Sequence, residues 1–153
     1  MAGPACLLPL APLTALINEG FHDTVHELGC GFAEAVCQNA LAIVLRDKGL
    51  LVEPSYQLSV SFRGQNIGKF EADLLIERLV IVEVKAMARI EDWAKAQILN
   101  YLKCAGGGIG LLANFGRHPE IQRFVMGDPN NSLPMLSKAP VKDIGRWTKP
   151  PLA

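Results

Sequence analysis

Residues 71–86 read EADLLIERLVIVEVKA, two apolar runs joined at a short polar break, with Asp73 on the first run and Glu83 and Lys85 on the second. A hairpin built for stability alone would carry Val or Ile at those positions, because an ionised side chain loses water when the sheet is covered. Glu83 and Lys85 are two apart on one strand and leave the same face. Asp73 joins them only in one register. A two-residue turn at Glu77-Arg78 places Asp73 opposite Val82, on the wrong face; an odd-length loop at residues 77–79, or a bulge beside Asp73, places it against Glu83.

The rest of the chain supplies covering layers for such a sheet. Thr14, after Pro12, is the predicted N-cap of a first helix whose Ile17, Phe21, Val25 and Leu28 share one face. Gly29 and Gly31 break it. A second helix is predicted over 32–48 with Phe32, Val36, Ala40 and Ile43 inward, and Gly49 follows where a helix-ending glycine belongs. The period then changes to two: Tyr56, Leu58, Val60 and Phe62 alternate with Ser and Gln, a half-exposed strand. After the RGQN turn, strands are predicted over 67–76 and 79–85, then a helix over 91–104, a buried strand in IGLLAN and an edge strand in IQRFVM. Three strands, a crossover helix and a further strand make an α/β fold with a mixed β-sheet flanked by helices.

Fifteen Lys and Arg balance fifteen Asp and Glu, so the molecule as a whole has no basic footprint for nucleic acid. Four of the bases and two of the acids follow Met126, which leaves the body before it slightly acidic. The opening MAGPACLLPLAPL lacks Lys and Arg and is cut by Pro4, Pro9 and Pro12, unlike a secretory leader. No apolar run reaches the ~20 residues of a membrane span. The four cysteines form no CxxC pair and are expected as free thiols in a reducing, cytoplasmic setting, without structural zinc. The expected organisation is an N-terminal extension (1–13), one domain (14–126) and an extended or partly disordered tail (127–153).

Two carboxylates and a lysine at one spot suit a divalent ion. Mg²⁺ and Mn²⁺ take hard oxygen ligands, and the ion relieves the repulsion between the acids. A lysine beside it can hold a water, and such a site hydrolyses phosphodiesters. The competing reading is a plain salt bridge of Lys85 with Glu83 or Glu71. Gln97 and Tyr101, at i and i+4 on the predicted crossover helix, share a face, and Glu34 flanks the apolar stripe of the second helix.

The order Glu34…Asp73…Glu83-x-Lys85…Gln97-x-x-x-Tyr101 resembles the PD-(D/E)xK nuclease superfamily, and its Gln-x-x-x-Tyr part the RecB-type branch. The match is closer to the small GxxExxY family, whose signatures stand here as VHELGCGFAEAVC, FEADLLIERLVIVEVKA, AQILNYLK and GLLANFG. The resemblance runs over residues 14–125 and implies a restriction-endonuclease-like core. It also implies Mg²⁺ or Mn²⁺ held by Asp73, Glu83 and the Val84 carbonyl, with Glu34 touching the ion directly or through water. Lys85 would orient the attacking water, and Gln97 and Tyr101 would line the site and grip nucleic acid, with DNA the expected substrate. The tyrosine that names the family is Cys37 here and the proline between the two glycines is Cys30; neither change removes a metal ligand. His26 also matches the family pattern, in which an upstream histidine can ligate the metal, but near a helix C-terminus it reads more simply as a histidine favoured by the dipole. The cysteine set lacks the late cluster of an iron–sulfur nuclease. Two alternatives stand beside hydrolysis: a non-catalytic nucleic-acid-binding module, and an interaction subunit that binds a second copy or another protein.

Overall fold

In the computed structural model, which describes residues 10–136, nine elements follow in order: α1 (Ala11–Leu28), α2 (Glu34–Asp47), β1 (Val52–Phe62), β2 (Gln65–Ile76), β3 (Val80–Lys85), α3 (Asp92–Cys104), β4 (Gly108–Asn114), β5 (Glu120–Met126) and a 3-10 turn (Pro129–Asn131). The five strands form one sheet in chain order. β3 and β4 pair parallel across the α3 crossover, and the other neighbours pair antiparallel. The expected α/β class with a mixed sheet is the observed one.

α1 and α2 cover one face of the sheet. Ile17, Phe21, Leu41 and Leu45 pack there with Leu74, Ile76, Val80, Val82, Val84 and Leu111. The opposite face meets α3: Leu75 and Ile81 pack with Tyr101, Leu102 and Ala105. β3 and β4 are buried throughout, as a central parallel pair requires.

Three details differ from the sequence reading. Thr14 does not cap α1: its hydroxyl donates back to the Leu10 and Ala11 carbonyls inside the first turn, and Leu10 occupies the cap at φ 59°. α2 is rotated from the expected orientation. Cys37, Leu41, Ala42 and Leu45 face inward, whereas Phe32, Val36 and Ile43 are 46%, 42% and 59% exposed. Apolar residues lie on more than one side of this helix, so periodicity does not choose between them. The observed rotation continues the buried Leu45–Leu41 stripe through Gln38 to Glu34, spaced three to four residues apart.

The third difference follows Met126, where an extended tail was expected. Ser132 Oγ accepts the Ile109 N–H at 3.1 Å and donates to the Leu79 carbonyl at 2.6 Å, and Leu133 and Leu136 are buried on the α3 side. The remainder of the expected tail (137–153) and the opening stretch to residue 9 lie outside the described residues.

The loops at the carboxyl ends of β3 and β4 are clamped together. Asn114 Oδ1 accepts the N–H groups of Met87 and Gly116, Asn114 Nδ2 donates to the Met87 carbonyl, and Phe115 N–H donates to the Lys85 carbonyl at 2.7 Å. Gly116 is required by this approach, because a Cβ there would overlap the Met87 carbonyl oxygen. Gly116→Ala is expected to lower stability by about 2 kcal/mol; urea unfolding of the variant beside the wild type measures it, and an unchanged midpoint would contradict the clamp.

Candidate active site

The β2–β3 connection has three residues. Ile76 pairs with Val80, so the register carries Asp73 opposite Glu83, as the odd-length alternative required. No glycine makes the turn. Glu77 and Arg78 both sit in the left-handed region at φ 53° and 54°, at a cost of about 1 kcal/mol each. Leu51, just before β1, and Glu53 on β1 hold them there. The Glu77 N–H donates to the Leu51 carbonyl at 3.0 Å, Glu77 Oε1 accepts the Leu51 N–H, and Arg78 pairs with Glu53 at 3.0 Å.

The backbone ladder stops at Asp73 on both sides. Toward β3 it ends at Leu74–Val82. Toward β1 it passes from Pro54–Leu74 to Tyr56–Ala72, leaving Ser55 unpaired at φ 53°. At this step the strands change faces: Val52, Leu74 and Ile76 pack with α1 and α2, but Tyr56, Leu58, Phe70 and Ala72 pack on the α3 side. Side chains take over the freed backbone groups. The Asp73 N–H donates to Glu83 Oε1 at 3.0 Å, the Val84 N–H donates to Asp73 Oδ2 at 2.7 Å, and the Asp73 carbonyl accepts from Gln38 Nε2 at 3.0 Å.

Glu83 and Lys85 are only 3% and 7% exposed. Burial first, then the adjacent Asp73 carboxylate, pushes the Glu83 carboxyl up to about 8. Burial likewise raises Asp73; the Val84 N–H and Lys85 oppose that rise and Glu34 adds to it. Each carboxyl affects the ionisation of the other, so the two titrate together rather than independently. Lys85 forms no ion pair with Glu83 or Glu71 among the described residues. Its Nζ lies 4.9 Å from the centre of the Trp93 ring.

Gln97 and Tyr101 reach the same place from α3. The Tyr101 ring stacks on Phe70 at 3.9 Å between centroids, with Gln97 one helical turn before it. Burial, then the charges of Glu83 and Asp73, push the Tyr101 hydroxyl up to about 12. Gln97 Oε1 is buried without a hydrogen-bond partner. Glu34, the first residue of α2, is exposed at the rim and acts on Asp73 through its charge. Among the described residues no three His, Cys, Asp and Glu side chains gather closely enough to hold an ion, so the structure groups Asp73 with Glu83 and leaves Glu34 outside that pair. His26 is exposed in the last turn of α1, and Cys37 is buried with its thiol directed to the Phe32 carbonyl at 3.9 Å.

Two contributors were missed in the sequence: Gln38, four residues after Glu34, and Trp93, four residues before Gln97. Extending each helical stripe by one turn would have found them.

The donor set suits a hard divalent cation. It combines the buried Glu83 and half-buried Asp73 carboxylates with an unsatisfied amide oxygen on α3. A family model described as PD-(D/E)XK nuclease superfamily matches residues 11–124. No curated protein matches the chain. One solved structure, described as "Crystal structure of SSO0001", is similar at 16% sequence identity and a TM-score of 0.44, over 81% of this chain and 70% of that one.

Proposed function

The chain belongs to the PD-(D/E)XK nuclease superfamily, and on that premise we propose that it hydrolyses phosphodiester bonds of DNA with Mg²⁺ or Mn²⁺, within a catalytic unit spanning residues 14–126. The observation that carries this reading is the withdrawal of Asp73 from the sheet ladder so that its carboxylate meets Glu83, with Lys85 two residues along. Asp73, Glu83 and the Val84 carbonyl would hold the ion, with Glu34 reaching it through water. The bound ion supplies Lewis-acid polarisation of the phosphate and makes water nucleophilic at neutral pH.

The protein's own groups do the rest. The ionised forms of Asp73 and Glu83, whose pKa values burial raises, would be favoured by an ion held there. The Lys85 ammonium, shielded from bulk water, orients the attacking water and steadies negative charge on the phosphate. Gln97 and Tyr101 line the site and position the strand. The proposal extends to membership of the RecB-type, Gln-x-x-x-Tyr branch and of the GxxExxY group, on the motif resemblance of Glu34, Gln97 and Tyr101.

A second reading, a binding module without hydrolysis, is favoured by one observation: no third acid joins Asp73 and Glu83 among the described residues. End-labelled single- and double-stranded DNA incubated with Mn²⁺, Mg²⁺ or EDTA separates the two. Cleavage with either ion and none in EDTA supports hydrolysis; binding without cleavage under any divalent ion supports the module.

Gln38 is assigned a positioning role, because its amide is what holds the Asp73 carbonyl from α2. Gln38→Ala is expected to weaken Mn²⁺ binding about tenfold to a hundredfold, with a stability loss of about 1 kcal/mol. Calorimetric titration alongside thermal melting checks both, and an unchanged Mn²⁺ affinity would reduce Gln38 to a helix–sheet tether.

A further inference from the structure

We propose that Trp93 is a stacking platform for an unpaired nucleobase at the mouth of the site; this rests on the reading above that the site acts on nucleic acid. Trp93 opens a stripe on α3 that continues at four-residue intervals through Gln97 to Tyr101. The residue is 53% exposed, the largest side chain of the stripe. Exposed tryptophans are ordinarily free to turn, but this one is held at two points. Its indole N–H donates to Glu91 Oε2, and Lys85 Nζ lies 4.9 Å from its ring centre. The ring is therefore fixed beside the lysine assigned to the phosphate while much of its surface stays open.

A fixed, open aromatic face beside a phosphate-handling cation matches a nucleotide, whose base and phosphate are linked at short range. Tyr101, deeper on the stripe, already stacks on Phe70 and has no such face to offer. A base can meet the Trp93 ring only where its own face is uncovered, in a single strand, at a frayed end or after extrusion from a duplex. The inferred substrate class is thus a strand with unpaired bases, read without sequence preference, since every base has a π-face.

The test uses the full chain in EDTA and a fluorescein-labelled single strand, intact or with its bases removed at successive positions, followed by anisotropy. Trp93→Ala is expected to bind the intact strand about tenfold more weakly than the wild type, with Trp93→Phe within about threefold. The abasic strand should bind the wild type and Trp93→Ala equally. Equal binding of the intact strand by the wild type and Trp93→Ala overturns the proposal. An equal loss on intact and abasic strands also overturns it, because the ring then acts only through Lys85. A wild type that binds neither strand overturns it together with the reading it rests on. If the wild type cleaves with Mn²⁺ but Trp93→Ala binds normally, hydrolysis stands and the platform falls. If the base-dependent loss occurs in a protein that never cleaves, the platform stands and hydrolysis falls.

Discussion

Lys85→Ala is expected to keep the fold and to cleave DNA about a hundredfold or more slowly than the wild type, the usual consequence of removing a charge that stabilises a transition state. The lysine makes no ion pair within the described residues, and its contacts are the Trp93 ring and the field it shares with Asp73 and Glu83. Without it, both carboxyl pKa values rise further, which favours their protonated forms and limits the charge left unpaired in the fold. Gln97→Ala and Tyr101→Ala should lose less, chiefly through weaker strand positioning, and Cys37→Ala should leave the rate nearly unchanged. Single-turnover cleavage of one DNA substrate, by variants with matched thermal stability at pH 6, ranks them. A Lys85→Ala variant as fast as the wild type would remove Lys85 from the chemistry and with it the proposed mechanism.

The metal-free fold is expected to lose stability between about pH 5 and about pH 8, and Mn²⁺ to restore it. The direction follows from Glu83, whose carboxyl is raised from 4.5 to about 8 by burial and by Asp73. Over that window the native protein keeps a proton that the unfolded chain releases. Native binding of more protons makes the slope of stability with pH negative. The contribution is fully present below 4.5 and is lost as pH rises through about 8. A divalent ion replaces that proton and binds only the folded state, so it stabilises most where the pair is ionised. Thermal melts at pH 5 and pH 8, with and without Mn²⁺, should show a fall of several degrees that the ion reverses. Glu83→Gln should flatten the profile, and Asp73→Ala should abolish the response to Mn²⁺. A wild type with a flat profile and no Mn²⁺ shift would mean that the pair neither holds a proton nor receives an ion.

Both predictions turn on one hairpin, which shows where local reading stops. That Glu83 and Lys85 share a face follows from the two-residue period of a strand. That Gln97 and Tyr101 share one follows from the pitch of a helix. These are short-range facts and need no knowledge of the neighbours. The need for an odd connection between Asp73 and Glu83 was also legible, because a one-residue slip sends every side chain to the other face. How the connection is made was not. Glu77 and Arg78 adopt left-handed backbone without glycine because Leu51 and Glu53, more than twenty residues earlier, hold them there.

α2 marks the same boundary from the other side. Its sequence allows more than one apolar face, and the stripe of Phe32, Val36 and Ile43 is as regular as the one that is buried. Periodicity measures alternation along one element and says nothing about what lies opposite. The sheet chose, and its choice carried Gln38 to the Asp73 carbonyl and Glu34 to the rim. The segment after Met126 is a similar case: Leu133 and Leu136 have no period to reveal them, yet they close the α3 side because that face was otherwise uncovered.

The sequence by itself therefore determined the α/β class, the order of elements and the acid–lysine spacing on one strand, since each is set by backbone geometry over a few residues. Tertiary structure alone decided the break in the ladder at Asp73, the rotation of α2 and the approach of Trp93 to Lys85. Each of those is a contact between different secondary-structure elements, fixed by which surfaces had to be buried against one another and which backbone groups then had to find new hydrogen-bond partners.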